Sequence, residues 1–295
     1  LIDESFAKVR NGSFKPFQRT ERTPENRITW DEIRNIASRG HEFASHTITH
    51  PRLAVLDEAN ILYELEKSRE EINARLGLEH TFSAECPYGT ENERVMEYAY
   101  KIYPALRNRM PEPYLEELNR GSRMNPVESI KDYVQWQRGP LTDVPMERMK
   151  SWVDTIASRS NIWLVLVFHG VDGIGWEPRT GDELREYYSY IKSMDDRLWV
   201  ATFRDVAKYM RERMESVAEV VEENGRWTIR LSNELDPVIY DLPLTLKTYV
   251  PDKITAVTLT QGEKDLAANM AKDERGNFVM YRAIPNGEPV VISFD

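Results

Sequence analysis

Cysteine is nearly absent from this chain: Cys86 is the only one in 295 residues. A single thiol cannot form an internal disulfide, which excludes a small scaffold held together by cross-links. Neither Lys nor His stands beside Cys86 in the sequence, so nothing adjacent favours a reactive thiolate. We therefore expect a buried, unreactive thiol rather than a nucleophile or a metal ligand.

Positive charge is also scarce. The chain has 39 Lys and Arg against 49 Asp and Glu, a formal net charge of −10. Binding to phosphates requires clustered Lys and Arg, and the sequence has no such cluster, so we expect no nucleic-acid partner. The longest apolar run, residues 162–168, is far too short to cross a bilayer, and we expect no membrane span.

The residues that are present suit a folded protein with one large domain or two ordinary ones, because 41% are apolar and 30% are charged. No signal peptide is visible at the start. The chain begins with Leu1 rather than Met, and we expect that an upstream segment has been removed or was not recorded.

Helix signals are clear after a polar, irregular segment at 1–27, which we interpret as an arm or a loop. Thr29 followed by Glu32 is a capping-box pattern and predicts the start of a helix. Residues 57–76 carry apolar side chains at helical spacing, and Gly77 follows as a stop signal. These residues predict a long amphipathic helix.

Strand patterns alternate with the helices. Residues 162–168 are continuously apolar, which predicts a strand buried on both faces, and residues 41–45 and 198–202 are predicted as further strands. Helices and strands in alternation favour parallel pairing. The sequence therefore predicts an α/β domain over residues 1–214.

The pattern changes after about residue 215. Short stretches that alternate apolar and polar residues, such as 226–231, are separated by turn residues. They predict a small antiparallel β-sandwich at 215–295, with its boundary at 214–218. A structural role is the favoured interpretation of the sandwich, and glycan binding is the alternative.

Histidine carries the first chemical signal, although the chain has only five. His46 and His50 stand four residues apart, and this spacing places both side chains on one face of a helical turn. Two neutral imidazoles so placed can bind one metal ion, whereas chance spacing on a surface turn is the alternative. The pair follows the predicted strand at 41–45, and sites in α/β folds gather at the carboxyl ends of strands.

Two further segments also follow predicted strands. His169 comes directly after residues 162–168 and suits a general acid or base, or else a core histidine bonded to the backbone. The turn Cys-Pro-Tyr-Gly at 86–89 can direct a backbone N–H at a developing oxyanion, or it is only a turn.

Taken together, these stretches resemble motifs of the polysaccharide deacetylases, carbohydrate esterase family 4. Residues 39–53, RGHEFASHTITHPRL, resemble the second motif, residues 86–89 the third, and residues 166–169, LVFH, the fifth. The resemblance covers about residues 28–210. It implies an α/β fold of the irregular (β/α) barrel type, followed here by the all-β sandwich, and metal-dependent removal of acetyl groups from a carbohydrate.

The resemblance also implies roles for single residues. His46 and His50 correspond to two histidine ligands of a divalent metal, zinc in the first place, with cobalt or nickel as alternatives. Tyr88 corresponds to the residue whose backbone N–H helps to bind the oxyanion, and His169 to the general acid. The substrate-binding candidates are Pro87, Arg107 and Trp176, with Trp176 as a wall of the acetyl pocket.

The chain departs from the family pattern in two places. Nothing near its start matches the first motif, whose two aspartates are the catalytic base and the third metal ligand, and Asp3 is a poor candidate for either. Where many members have an arginine, this chain has Glu85, and we expect Arg107 or Arg109 to supply that positive charge. With two ligands, we expect weak or absent metal binding. Residues 132–136 are a candidate fourth motif.

The resemblance implies an acetylated polysaccharide or oligosaccharide as substrate, an acetyl xylan esterase by analogy with degraders of plant fibre, and a secreted or periplasmic location. A catalytically inactive carbohydrate-binding relative is the main alternative. A second alternative is a different sugar hydrolase that uses Asp172 and Glu177 as paired carboxylates.

Overall fold

The computed structural model describes residues 27–89, 91–139, 142–223 and 226–294. The predicted arm at 1–27 lies outside them except for Arg27, and Asp3 lies outside them as well. Across these ranges, no helix is both long enough and apolar enough to cross a membrane.

Six α-helices make up the helical part of the described chain. They are α1 (Trp30–Ala37), α2 (Glu58–Leu76), α3 (Glu93–Ile102), α4 (Met146–Ala157), α5 (Gly181–Lys192) and α6 (Phe203–Glu215). All six precede the all-β part of the chain.

The first two helices begin and end where the sequence predicts. The Thr29 hydroxyl accepts a hydrogen bond from the Glu32 N–H, and the Glu32 carboxylate accepts one from the Thr29 N–H, which completes the capping box of α1. Asp57 caps α2 by accepting from the Asn60 N–H. Gly77 ends α2 with a φ of 100°, a conformation that residues with a Cβ rarely adopt.

The strands among these helices are short and parallel. They are β1 (Ser83–Glu85) paired with β2 (Ala105–Arg107), then β3 (Leu115–Leu118), β4 (Tyr133–Arg138) and β5 (Ile162–Leu166) in one sheet, and β6 (Gly170–Val171) paired with β7 (Pro178–Arg179). Ser45 adds a single parallel bridge to Ala84 of β1. The chain is thus of the mixed α/β class with several sheets, as the alternating pattern predicts.

Three predicted strands differ from the structure. Residues 162–168 are expected to be buried on both faces, but every residue of β5 is partly exposed. β5 is also an edge strand, since β4 pairs with one side and no described strand pairs with the other. Residues 198–202 form no strand: Trp199 is 56% exposed, and no strand of the described chain completes a hydrogen-bond ladder there. Within 41–45, only Ser45 pairs.

The chain after α6 folds into two antiparallel sheets. Its strands are β8 (Val217–Glu223), β9 (Arg226–Ser232), β10 (Leu244–Tyr249), β11 (Val257–Gln261), β12 (Lys264–Asp265), β13 (Asn269–Asp273), β14 (Gly276–Ala283) and β15 (Asn286–Phe294). One sheet has the order β12-β11-β15-β9-β8 and the other β10-β14-β13. The two sheets share one core, in which Ile229 and Ile292 of the first lie with Val279 and Tyr281 of the second.

Helix α6 contributes to the cores of both halves. Met210 is buried with Phe82 of the α/β half, and Tyr240 from the all-β half packs against the same cluster. One residue earlier in the helix, Tyr209 packs against the core between the two antiparallel sheets. The two halves are therefore joined through side chains of a single helix.

Glu212 of α6 is a fully buried carboxyl group, and burial raises its pKa from 4.5 to about 7. The folded chain therefore keeps the proton at a pH where the unfolded chain has lost it. The stability that this provides is lost as the pH rises from about 4.5 to about 7. We expect Glu212→Gln to raise the free energy of unfolding by ~1–3 kcal/mol at pH 8 and to change it little at pH 4.

Urea unfolding of both proteins at the two pH values measures this difference. The Gln side chain can still accept the hydrogen bond from the Leu242 N–H that Glu212 accepts. A Glu212→Gln variant that is no more stable than the parent at pH 8 would contradict the expectation.

Candidate active site

His46 and His50 lie together, but not on a helical turn as the spacing predicts. The segment from 46 to 50 is irregular, and both Thr47 and His50 have positive φ angles, of 68° and 61°. The resulting turn brings the two rings to a centroid distance of 4.7 Å, edge to face. The predicted proximity is present, and a tight left-handed turn produces it.

The His46 ring is oriented by the strand beside it. Its Nδ1 lies 2.9 Å from the Glu85 carbonyl oxygen, so Nδ1–H donates and Nε2 is left as the lone-pair nitrogen. Partial removal from water lowers the pKa of His46 to about 4, with smaller contributions from the positive charges of His50 and Arg107. His46 is therefore neutral at pH 7, the form in which imidazole binds a metal.

The turn Pro87–Gly89 places Tyr88 against the histidine pair. Tyr88 has a φ of 64°, and its ring meets the His50 ring edge to face at 4.7 Å. The Arg52 guanidinium lies over the other face of the Tyr88 ring, 4.4 Å from its centroid. Pro87 is buried beneath. The two motif regions thus converge, with the strained Tyr88 backbone beside the imidazoles.

Arg107 supplies a buried positive charge next to this group. It stands opposite Glu85 in the pairing of β1 with β2 and forms an ion pair with it, the Arg107 side chain being 11% exposed. Its Nη1 also donates to Gln137 of β4 at 3.0 Å. Arg109, the other predicted source of charge, is 41% exposed, and its nearest contact with Glu93 is 3.9 Å.

His169 and Trp176 form a second group, at the end of β5. Their rings meet edge to face with centroids 4.5 Å apart, and Trp176 is 46% exposed. Each group follows the carboxyl end of a parallel strand. Arg107 at the end of β2 donates to Gln137 near the end of β4, so the carboxyl ends of these two strands are in contact.

Gly170 allows the turn that carries Trp176 to close on His169. A Cβ at Gly170 would lie 2.4 Å from the Ile174 carbonyl oxygen, closer than real Cβ contacts, and 3.1 Å from the Gly175 carbonyl carbon, which is also tight. We expect Gly170→Ala to move the turn, lower stability by about 1–3 kcal/mol and separate the two rings.

Urea unfolding measures the loss of stability. The part of the tryptophan fluorescence that Trp176→Phe removes reports the separation of the rings. Gly121→Ala is the matched control, because a Cβ there meets only the Asn119 side chain, at 3.6 Å. Equal stability of Gly170→Ala and Gly121→Ala would contradict the expectation.

The remaining candidate residues are buried in a core or bonded to the backbone. Cys86 is fully buried, and burial together with the charge of Glu91 raises its pKa to about 12, which confirms the unreactive thiol. Within the candidate fourth motif, residues 132–136, Trp136 is a core side chain. Asp172 and Glu177 each accept a hydrogen bond from a backbone amide, that of Gly181 and that of Thr142 respectively.

The fit of the site to a metal is partial. His46 is a neutral nitrogen donor whose ring lies edge to face with that of His50, and the two imidazoles would supply two ligands of a zinc ion. Among the described residues, no group of three or more His, Cys, Asp or Glu could hold an ion. The chain as described provides two ligands.

Glu64, which no sequence motif points to, contacts the turn between the histidines. Its carboxylate accepts hydrogen bonds from the turn at Ile48 and Thr49. One signal was available: Glu64 falls among Ile61, Leu65 and other buried positions of α2, where a charge needs a partner.

Residues 12–103 match a family model described as polysaccharide deacetylase. The match covers 92 of the 295 residues and shows that this part of the chain is similar to the polysaccharide deacetylase family. The polysaccharide deacetylase segment contains His46, His50 and Tyr88, whereas His169 and Trp176 lie beyond it.

Individual relatives are more distant. A gellan lyase from Bacillus sp. is 25% identical over 276 residues, which are 88% of this chain but 11% of that protein, so the chain spans about a tenth of its length. A solved peptidoglycan N-acetylglucosamine deacetylase is 16% identical and covers 69% of this chain and 80% of its own, with a TM-score of 0.35. An α-L-fucosidase from Bacteroides thetaiotaomicron is 9% identical, covering 100% and 80% respectively, with a TM-score of 0.37. At these scores neither structure defines the fold of this chain.

Proposed function

We propose that this chain carries the catalytic site of a metal-dependent hydrolase that removes acetyl groups from a carbohydrate. The observation that carries the proposal is the convergence of His46, His50 and Tyr88 within the polysaccharide deacetylase segment. A carbohydrate deacetylase is the activity that the family supports. The metal dependence and the roles of the residues are proposed from the site.

In this proposal the two imidazoles hold a divalent ion, zinc in the first place and cobalt or nickel as alternatives. Such an ion, when bound, polarises an acetyl carbonyl and makes a water molecule more acidic. His46 is suited to holding it because its Nδ1–H is fixed on the Glu85 carbonyl and its ring stays neutral. His50 completes the pair from the other side of the turn.

The other residues act on the substrate. The Tyr88 backbone, held in its turn by Pro87, directs its N–H towards the developing oxyanion. The attacking water would give its proton to the aspartate that is the base in the family's first motif, a residue that the described part of the chain does not supply. His169 would protonate the leaving oxygen or nitrogen of the sugar, and Trp176, edge-on to it, forms a wall for the acetyl group. Arg107 adds positive charge beneath the site and so favours the negative transition state.

The finer assignments are also proposals. We place the catalytic domain, an irregular (β/α) barrel, at residues 1–214 and an accessory sandwich at 215–295. The substrate is an acetylated polysaccharide or oligosaccharide, with acetylated xylan first and gellan, from the name of the Bacillus relative, as another polymer to test. A secreted or periplasmic location fits such a substrate.

Acetate release tests the proposal. Purified protein, loaded with Zn²⁺, Co²⁺ or Ni²⁺, is incubated with acetylated xylo-oligosaccharides, N-acetylated chito-oligosaccharides and acetylated gellan, with and without chelator. Chelator-sensitive release of acetate supports the proposal. Glycosidic cleavage that is insensitive to chelator would instead favour the paired carboxylates of Asp172 and Glu177.

An inactive carbohydrate-binding relative is the second candidate. It is favoured by the finding that the described residues offer two ligands and no group of three. Binding of the same oligosaccharides without acetate release from any of them would support this candidate and contradict the first.

A further inference from the structure

Glu64 is a buried carboxylate whose hydrogen bonds go to the turn between the two histidines. It lies on α2 and is 6% exposed. Its Oε2 accepts from the N–H groups of Ile48 and Thr49, both at 2.9 Å, and its Oε1 accepts from the Thr49 hydroxyl at 2.6 Å. Three donors of one short turn thus converge on a single side chain.

The turn needs such an acceptor because its backbone is strained. Thr47 and His50 both occupy the left-handed region, at φ angles of 68° and 61°, and neither is glycine. This conformation is unfavourable for residues other than glycine, and most of all for a β-branched one such as Thr47. Hydrogen bonds to an ionised carboxylate are among the stronger ones in proteins, so Glu64 offsets this cost.

The same helix also fixes the chain where it enters the turn. Ser68, one helical turn after Glu64, hydrogen-bonds the Ser45 hydroxyl at 2.6 Å in the buried interior. The Ser45 hydroxyl oxygen in turn accepts from the Thr47 N–H at 3.2 Å. Helix α2 therefore holds the segment on both sides of His46.

Glu64 does not serve as a third ligand. Both of its oxygens are engaged by the turn, and it forms no metal-holding group with the histidines among the described residues. Its chemistry points to an indirect role.

We propose that Glu64 is a positioning residue, which fixes the strained 47–50 turn so that His46 and His50 converge on one divalent cation. The role of Glu64 in metal binding rests on the proposed function, but its effect on the turn can be tested without a metal. An apolar residue at position 64 would leave the amides of Ile48 and Thr49 without their acceptor, and the ring pair would lose its fixed separation.

Two variants separate charge from shape. Glu64→Ala removes every acceptor, and we expect Ni²⁺ or Zn²⁺ affinity to fall about 10- to 100-fold, the usual effect of losing an outer-shell partner. Glu64→Gln keeps one acceptor oxygen and can donate to the Thr49 hydroxyl, and we expect it to retain most of the affinity. Calorimetric titration with each metal alone measures both. Amide hydrogen exchange of the 45–52 segment, without metal, should quicken at least tenfold in the Ala variant.

Glu212→Gln is the matched control, since Glu212 is also a buried glutamate that accepts from a backbone N–H, but on α6 and towards Leu242 rather than the 47–50 turn. It should leave metal affinity and exchange at 45–52 unchanged. A folded Glu64→Ala protein whose 45–52 exchange matches that of the parent overturns the inference. If the parent binds metal, a Glu64→Ala protein with the same metal affinity overturns it as well. If Glu64→Ala does not fold, Glu64→Asp decides, because its carboxylate is one methylene group too short to reach both amides: faster 45–52 exchange supports the inference, and exchange equal to the parent overturns it. If the parent binds neither metal, the proposed metal function fails, and the exchange result alone decides the role of Glu64.

Discussion

Replacing His50 by Ala is expected to abolish the weak divalent-metal binding that two ligands allow and to lower metal-supported acetate release at least about a thousandfold. The reason is that two imidazoles are the only ligands at the site in the described chain, and His46 alone cannot hold a catalytic ion. The effect belongs to the chemical step, so kcat should fall with little change in substrate binding.

The measurement combines metal content after dialysis with acetate release from the best substrate. His41→Ala is the matched control, because His41 is also exposed, stands nearby in the same segment and is not part of the ring pair. Its metal content and activity should equal those of the parent. Activity of His50→Ala within threefold of the parent would remove the histidine pair from the mechanism.

Replacing Arg107 by Met is expected to lower the free energy of unfolding by about 2–3 kcal/mol and acetate release about a hundredfold. The loss of stability arises because the carboxylate of Glu85, which is only 27% exposed, loses its ion-pair partner. Gln137 also loses the donor that holds its side-chain oxygen. The loss of activity follows from removing a positive charge beside the oxyanion turn.

A double-mutant cycle with Glu85→Gln distinguishes the ion pair from simple packing. Once Glu85 carries no charge, the Arg107→Met change should cost at least 1 kcal/mol less, since no buried charge is then left unpaired. Urea unfolding of the four proteins measures the coupling. If the two changes in the free energy of unfolding are strictly additive, the Glu85–Arg107 ion pair does not contribute to stability.

Local signals predicted the helices well. The capping box at Thr29 and Glu32 and the stop at Gly77 act within one turn of the chain, so their effect can be read from neighbouring residues. The strand prediction for residues 198–202 was wrong for the opposite reason. Their apolar pattern is compatible with a strand, but a strand also needs a partner, and the partner is not a local property.

The site shows the same division. The sequence predicted that His46 and His50 lie together, but not the turn that joins them, because four-residue spacing suits a left-handed turn as well as a helical one. The Glu85–Arg107 pair depends on the register of β1 against β2, which separates the two residues by 22 positions in sequence. Glu64 acts on residues 15 and 16 positions earlier, and only the packing of α2 reveals it.

The sharing of α6 between both halves has a consequence for the order of folding during synthesis. The cluster that contains Phe82 and Met210 is covered by Tyr240, a residue that leaves the ribosome well after the α/β half has been made. Until then that half carries an uncovered apolar surface, which is prone to unwanted association. Tyr240 of the all-β half therefore covers an apolar cluster of the α/β half. That cluster is complete only after synthesis of the all-β half has begun.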